Sequence, residues 1–159
     1  MPSVEQVEAG ILALVQWQQK NLGFYKHTNA AQTARMIREV YGYKRVDVLY
    51  DVSIADIASH VRAGRPVIVP LAGRQLGNPY YTSPGPVYHM LVVKGISDTG
   101  NIITNDVGTR HGRNFSYAPN VFYEAMHDVP TGGDEWPVDV DPVPYIESGR
   151  RAIIVVYPN

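Results

Sequence analysis

The chain has 159 residues, of which 45% are hydrophobic, and its formal net charge is −1. This length suits one domain with a normal core, and the near balance of charge argues against a nucleic-acid-binding surface. No apolar run approaches the roughly 20 residues that cross a bilayer, and no secretory signal is visible at the N-terminus. The absence of cysteine excludes disulfides and thiolate metal sites. We expect a single soluble domain over residues 1–159, in a compartment that the sequence leaves unknown.

Three helices are predicted in the first 64 residues, because apolar residues recur there at helical spacing behind capping residues. Ser3 begins the first helix, Asn29 the second and Ser53 the third. Gly42 and Gly64 end the second and third helices. The predicted apolar face of the first helix is formed by Val4, Val7, Ile11, Leu14, Val15 and Gln18.

Short runs rich in β-branched residues predict the strands. These runs are "KRVDVLYDV", "RPVIVPLAG", "HMLVVKGI", "IITND" and "RRAIIVVYP". The turn "SDTGN" joins the third run to the fourth as a hairpin. "APNVFYEAMHD" predicts a short helix, and "TGGDEWPVDVDPVPYIESG" predicts a proline-broken loop. Helices that precede strands joined by tight turns indicate an α+β fold, with the N-terminal helices packed on a mostly antiparallel sheet.

A histidine and an aspartate flank the predicted hairpin. His89 begins one strand and Asp106 ends the next, at similar distances from the turn. Strand pairing would bring them together, because opposed Cβ atoms lie about 4.5–5.5 Å apart. The carboxylate could then orient the imidazole and leave its second nitrogen free as a base. The alternatives are a structural or solvated histidine and a turn-capping aspartate. Asn105 would face the other side and is a weaker orienting candidate.

Metal binding is the other chemistry to be weighed. Zinc sites use three or four ligands at short spacing, and His89, Asp106 and His111 are the nearest approach to one. Asp139 and Asp141 could bind calcium, but no glycine-bearing acidic loop surrounds them. We therefore expect no metal and no other cofactor, and a metal-dependent hydrolase remains a third alternative.

The order of these segments is similar to that of a known family. "ADIASHVRAGRPVIVP", "YHMLVVKGISDTGNIITNDVGTRHG" and "FSYAPNVFYEAMHD" resemble the bacterial papain-like peptidases that cut bacteriocin leader sequences after paired glycines. The resemblance runs from about Ser53 to Asp128, with weaker agreement over "WQQKNLGFY" and "TARMIREVYGY". Val107 stands where the family commonly has proline.

The resemblance implies a papain-like fold and cysteine peptidase chemistry. It makes His89 the general base and Asp106 the residue that orients it. The family's nucleophile, a cysteine at a helix N-terminus, and the glutamine upstream of it have no counterpart in this chain. Ser3 is a poor substitute because its neighbours indicate an ordinary helix cap. We expect either that the nucleophile helix lies upstream of residue 1 or that the domain is a pseudoenzyme.

The resemblance also implies a peptide as substrate or ligand. Its predicted place is between the loop "GRQLGNPYYTSPGPVY" and the hairpin, although tyrosine-rich loops also pack over strand ends. The predicted contacts are Tyr80, Tyr81 and Tyr88. On the loop after Asp106, Arg110, His111 and Arg113 form either an exposed basic turn or a rim that meets substrate carboxylates.

The sequence therefore predicts a cysteine-peptidase-like domain for peptide or amide hydrolysis that is inactive as written. The main alternative is a non-catalytic peptide-binding module. A missing helix would expose an apolar face at a cost of several kcal/mol, at about 25 cal/mol per Å². We expect "GILALVQWQQ", a partner chain or a missing segment to cover that face.

Overall fold

The computed structural model describes residues 2–159, in which five α-helices and one 3-10 helix pack with a six-stranded sheet. The α-helices are α1 (Val4–Leu22), α2 (Ala30–Tyr41), α3 (Ile54–Arg62), α4 (Pro119–Ala125) and α5 (Pro142–Glu147). The strands are β1 (Val46–Tyr50), β2 (Val67–Ala72), β3 (Tyr88–Ile96), β4 (Ile102–Asn105), β5 (Arg113–Tyr117) and β6 (Ala152–Val156), and the 3-10 helix spans Gly73–Leu76. The predicted α+β class is confirmed.

The first three helices begin where their caps predict. Ser3, Asn29 and Ser53 each accept a hydrogen bond from the backbone N–H three residues later. The side chain at that later position accepts one from the N–H of the cap, so both orphan donors are satisfied. Gly42 ends α2 with a φ of 70°, a left-handed conformation that favours glycine.

The strand order is β1-β6-β2-β3-β4-β5, and every neighbouring pair is antiparallel. Strands β2 to β5 follow one another as a meander, whereas β6 is inserted between β1 and β2. Because the pairs are antiparallel, the loop after β2 and the loop after β4 lie at the same end of the sheet. This end carries the candidate site.

Each face of the sheet carries its own core. Alternate residues of β6 belong to different clusters, Ile153 and Val155 to the larger and Ile154 and Val156 to the smaller. The larger cluster includes residues of α3 and α4, and the smaller one packs beneath α2. The sheet is therefore covered by helices on both faces.

The N-terminal half of α1 departs from the prediction. Val4, Val7 and Ile11 are 73%, 46% and 57% exposed, and Gln18 is the one fully buried residue of the helix. The first half of the predicted apolar face is therefore exposed, because apolar spacing marks a helix face and does not supply a surface to cover it. No helix within residues 2–159 is long and apolar enough to cross a membrane.

Besides the 3-10 helix, the structure contains a strand and an α-helix that the sequence does not predict. Strand β5 follows the loop after Asp106 and pairs with β4. Helix α5 lies within the tail predicted as a loop, so that prediction is wrong over six residues. Asp141 caps α5 by accepting from the N–H of Val143, and Ile146 is fully buried.

Candidate functional site

The structure brings together the imidazole of His89 and the carboxylate of Asp106. His89 is the second residue of β3, and Asp106 directly follows β4 at the same end of the sheet. Nε2 of His89 lies 2.9 Å from Oδ1 of Asp106. The ladder pairs Val92 with Asn105, so the two side chains meet diagonally beyond its last residue pair. Asn105 is turned elsewhere, and its side-chain oxygen accepts from the N–H of Asn114.

Asp106 is the centre of a buried hydrogen-bond network. It is 3% exposed. Its Oδ1 is bonded to Nε2 of His89 and also accepts a hydrogen bond from the N–H of Gly108, at 2.8 Å. At Oδ2 it accepts the amide of Asn78 at 3.1 Å and the hydroxyls of Tyr81 at 2.6 Å and Tyr117 at 2.5 Å. No buried side-chain polar atom among the described residues lacks a partner.

These bonds hold Asp106 in its charged form. Burial alone would raise the pKa of Asp106, but the hydrogen bonds from Tyr117, Tyr81, His89 and Gly108 outweigh it and lower the pKa to about 2. Because an ionised carboxylate is acceptor-only, Nε2 of His89 is the donor in the pair. Burial and the bond to Asp106 raise the pKa of both Tyr81 and Tyr117, so both hydroxyls keep their protons and donate.

The second ring nitrogen of His89 is open. Nδ1 has no hydrogen-bond partner among residues 2–159, and the side chain is 13% exposed. Two glycines pack closely around the ring: a Cβ at Gly73 would lie 3.1 Å from Cβ of His89, and one at Gly108 would lie 3.1 Å from Nε2. A fixed imidazole with its donor nitrogen engaged and its other nitrogen free has the geometry of a general base.

The four residues predicted to contact a peptide lie in three different places. Tyr81 lies edge-on to His89 at 5.9 Å between ring centroids, but its hydroxyl is engaged by Asp106. Tyr88 is not brought to His89, because its hydroxyl donates to Asp128 on the other face of β3. Tyr80 and Arg110 line a cavity of about 540 Å³ that also includes Thr82 and the loop 107–111.

A second buried carboxylate lies behind β3, and the sequence gives no sign of it. Asp128 accepts the N–H of Ala30, at the start of α2, and the hydroxyl of Tyr88. Burial raises the pKa of Asp128. Asn78 and Tyr117 are also absent from the sequence-based site, because they come from separate segments that carry no motif.

The remaining candidates take up structural positions. Ser3 forms the capping box of α1, and Asp141 caps α5. The ring of His111 lies 4.4 Å from that of Tyr80. Across the part of the chain that the structure describes, no three His, Cys, Asp or Glu side chains are grouped to hold a metal ion.

The antiparallel sheet covered by helices is that of a papain-like, peptidase-like domain, and the histidine bonded to an aspartate is the pair that the resemblance predicts. The chain belongs to the Peptidase C39 like family, whose model matches residues 8–129. This match includes α2 and most of α1, so the likeness extends well upstream of Ser53, where the strong resemblance was predicted to begin.

A solved structure has the same fold. It is of a protein from Bacillus anthracis classed as a C39-like peptidase, with a TM-score of 0.52 and 14% sequence identity. The match covers 83% of this chain and 60% of that one, so the chain spans less than two thirds of the other protein. No curated protein gives a significant match.

Proposed function

We propose that this peptidase-like domain binds peptides beside His89 and supplies no nucleophile of its own. The observation that carries the proposal is the His89–Asp106 pair, which is hydrogen-bonded and largely buried in a chain that has no cysteine. The pair is the base half of a cysteine peptidase site. Without a thiol, His89 presents Nδ1 as a hydrogen-bond acceptor, which suits a peptide N–H.

The chemistry of the pair becomes complete if a thiol from outside residues 1–159 reaches Nδ1. His89 would take the thiol proton, and the thiolate would attack the peptide carbonyl carbon. The C–N bond would break as His89 returned the proton to the leaving amine, and water would then hydrolyse the thioester. Asp106 would stabilise the imidazolium throughout. The free Nδ1 favours this hydrolase as the second candidate.

Cleavage and binding assays on purified residues 1–159 test the proposal. Mass spectrometry of a mixed peptide library should show no cleavage, and calorimetry should show binding of library members. His89→Gln keeps an amide donor for Asp106 and removes the aromatic acceptor, so it should weaken binding several-fold. His60→Gln on α3 is the matched control. Cleavage by residues 1–159 alone, or binding unaffected by His89→Gln, would contradict the proposal.

The intact mass of the protein from its native source separates the two candidates. A mass near 17.7 kDa favours the binding domain. A mass larger by several thousand daltons, with a thiol that iodoacetamide blocks and hydrolysis that ends with it, establishes the cysteine hydrolase. Hydrolysis that chelators abolish and zinc restores would favour the metal-dependent alternative over both.

A further inference from the structure

We propose that the cavity beside His89 binds a carboxylate of the peptide, either an acidic side chain or the free C-terminus. The cavity lies between the loop after β2, which provides Tyr80 and Thr82, and the loop 107–111. Its volume of about 540 Å³ accommodates a side chain or a chain end. This inference rests on the proposed function, since it specifies which peptides the domain selects.

The cavity adjoins the candidate base at Gly108. Gly108 lines it, and a Cβ at Gly108 would lie 3.0 Å from Cε1 of Tyr81 and 3.1 Å from Nε2 of His89. Gly108 therefore contacts both the cavity and the His89–Asp106 pair. A peptide group held in the cavity places the neighbouring part of its chain beside the imidazole.

A permanent positive charge lines the cavity without a partner. The guanidinium of Arg110 forms no ion pair and no hydrogen bond with the residues at positions 2–159. No acidic residue lines the cavity. The nearby carboxylate of Asp106 is saturated by its own donors. A guanidinium presents paired N–H groups that match the two oxygens of a carboxylate.

Neutral donors complete the lining. The hydroxyl of Thr82 makes no hydrogen bond to any described residue, and that of Thr109 accepts from the N–H of His111 and keeps its proton to donate. The ring of His111 is held against Tyr80, so its position is fixed on the same wall. Donors from two separate loops thus converge on a space that contains no acceptor side chain of opposite charge.

The distribution of charge along the chain favours the same ligand. Residues 57–123 contain six lysines and arginines but only two acids, whereas the rest of the chain contains eight and thirteen. Of these cations, Arg74, Arg110 and Arg113 lie at the end of the sheet that carries His89. The segment 57–123 therefore has a formal charge of +4 in a chain of net charge −1, and this excess favours anionic peptides.

Three acetylated hexapeptides of glycine and alanine test the inference. One has a central glutamate and an amidated end, the second has glutamine with an amidated end, and the third has glutamine with a free C-terminal carboxylate. The glutamate peptide should bind at least tenfold more tightly than the amidated glutamine peptide if the site takes side chains. Preference for the third peptide would identify the chain terminus as the source of the carboxylate. Equal affinity for all three would overturn the inference.

Arg110→Gln should remove the preference, so that the glutamate and glutamine peptides bind with equal affinity. Arg113→Gln, on β5 outside the cavity, removes the same charge three residues away and should change affinities less than twofold at 150 mM salt. Equal losses in both variants would mean that general charge, and no built site, attracts the peptide.

A small probe separates failure of this inference from failure of the proposed function. N-acetylglutamate should shift the side-chain NMR signals of Arg110 and His111, and N-acetylglutaminamide, in which both carboxyl groups are amidated, should not. If no hexapeptide binds but N-acetylglutamate causes these shifts, peptide binding fails and the carboxylate site stands. If peptides bind and neither small probe shifts the signals, the carboxylate site is refuted and peptide binding stands.

Discussion

Tyr88 and His89 are adjacent in sequence, and each reaches a buried carboxylate on an opposite face of β3. The Tyr88 hydroxyl donates to Oδ1 of Asp128 at 2.9 Å, and the His89 imidazole lies at 2.9 Å from Oδ1 of Asp106. Alternation of side chains along the strand requires this separation. His89 therefore lies on the face of β3 that carries the site, and Tyr88 lies on the face that meets α2. There Asp128 also accepts a hydrogen bond from the N–H of Ala30.

Because the pKa of Asp106 is low in the folded chain, the free energy of unfolding should fall at acidic pH. Because the pKa is lowered to about 2 in the folded chain, its contribution is present above about pH 4 and lost as the pH falls towards 2. The shift corresponds to about 2 kcal/mol of unfolding free energy. Asp106→Asn should lower stability at pH 7 and flatten its decline between pH 4 and pH 2, as measured by urea denaturation. Asp98→Asn in the exposed hairpin turn is the control, and equal acid slopes for Asp106→Asn and wild type would contradict the assignment.

The hydroxyl of Tyr81 should matter more to stability than to contact with a ligand. Tyr81→Phe keeps the ring beside His89 and removes one donor from a buried carboxylate, which should cost about 1–3 kcal/mol and raise the pKa of Asp106. Tyr80→Phe removes a hydroxyl that makes no hydrogen bond within the described chain and should change the unfolding free energy by less than about 0.5 kcal/mol. Chemical denaturation of both variants measures the difference. Equal effects would mean that the Tyr81 hydroxyl is not held by Asp106.

Gly112 is required for the loop that carries Asp106. A Cβ at this position would overlap the carbonyl oxygen of Asp106 and lie 2.9 Å from its Cβ, and the carbonyl of Gly112 accepts the N–H of Asp106. Gly112→Ala should therefore displace the loop and lower the melting temperature by several degrees.

Gly10→Ala is the matched control for this change. It has open space around it within α1 and should stabilise the chain by up to about 1 kcal/mol. Thermal denaturation followed by circular dichroism compares the two variants. A Gly112→Ala protein as stable as the wild type would show that the loop adopts another conformation.

Replacing apolar side chains in the exposed half of α1 by alanine should have little effect on stability. Ile11 is 57% exposed and Ile57 is fully buried, so Ile11→Ala should change stability by less than about 0.5 kcal/mol and Ile57→Ala should cost about 2–5 kcal/mol. Denaturation of both variants at two protein concentrations measures the two changes in the free energy of unfolding. A large, concentration-dependent loss for Ile11→Ala would instead show that another copy of the chain covers this stripe.

The parts of the fold that depend on local chemistry were predictable. Capping boxes at Ser3, Asn29 and Ser53 involve residues three apart, so the helix starts follow from the sequence. The spacing about the hairpin turn likewise brought His89 to Asp106. Strand β5 was not predicted because the alternation in "RNFSY" is limited to Phe115 and Tyr117, and α5 was hidden by prolines at its start.

What the sequence could not supply was the set of long-range partners. Asn78, Tyr81 and Tyr117 converge on Asp106 from segments that no motif connects. Tyr81 was therefore predicted as a ligand contact, whereas its hydroxyl stabilises a carboxylate. The stripe of α1 shows the same limit, since its spacing predicts a buried side and the rest of the fold provides no cover for its first half.

The position of β6 determines when the sheet can be completed during synthesis. β6 is the sixth strand in chain order, yet it is the only link between β1 and β2 in the sheet. A nascent chain that has emerged only to residue 150 holds two separate pieces, β1 under α2 and the β2–β5 meander, with unpaired backbone groups facing each other. Emergence of residues 151–159, which contain β6, should therefore be the event that joins the two cores.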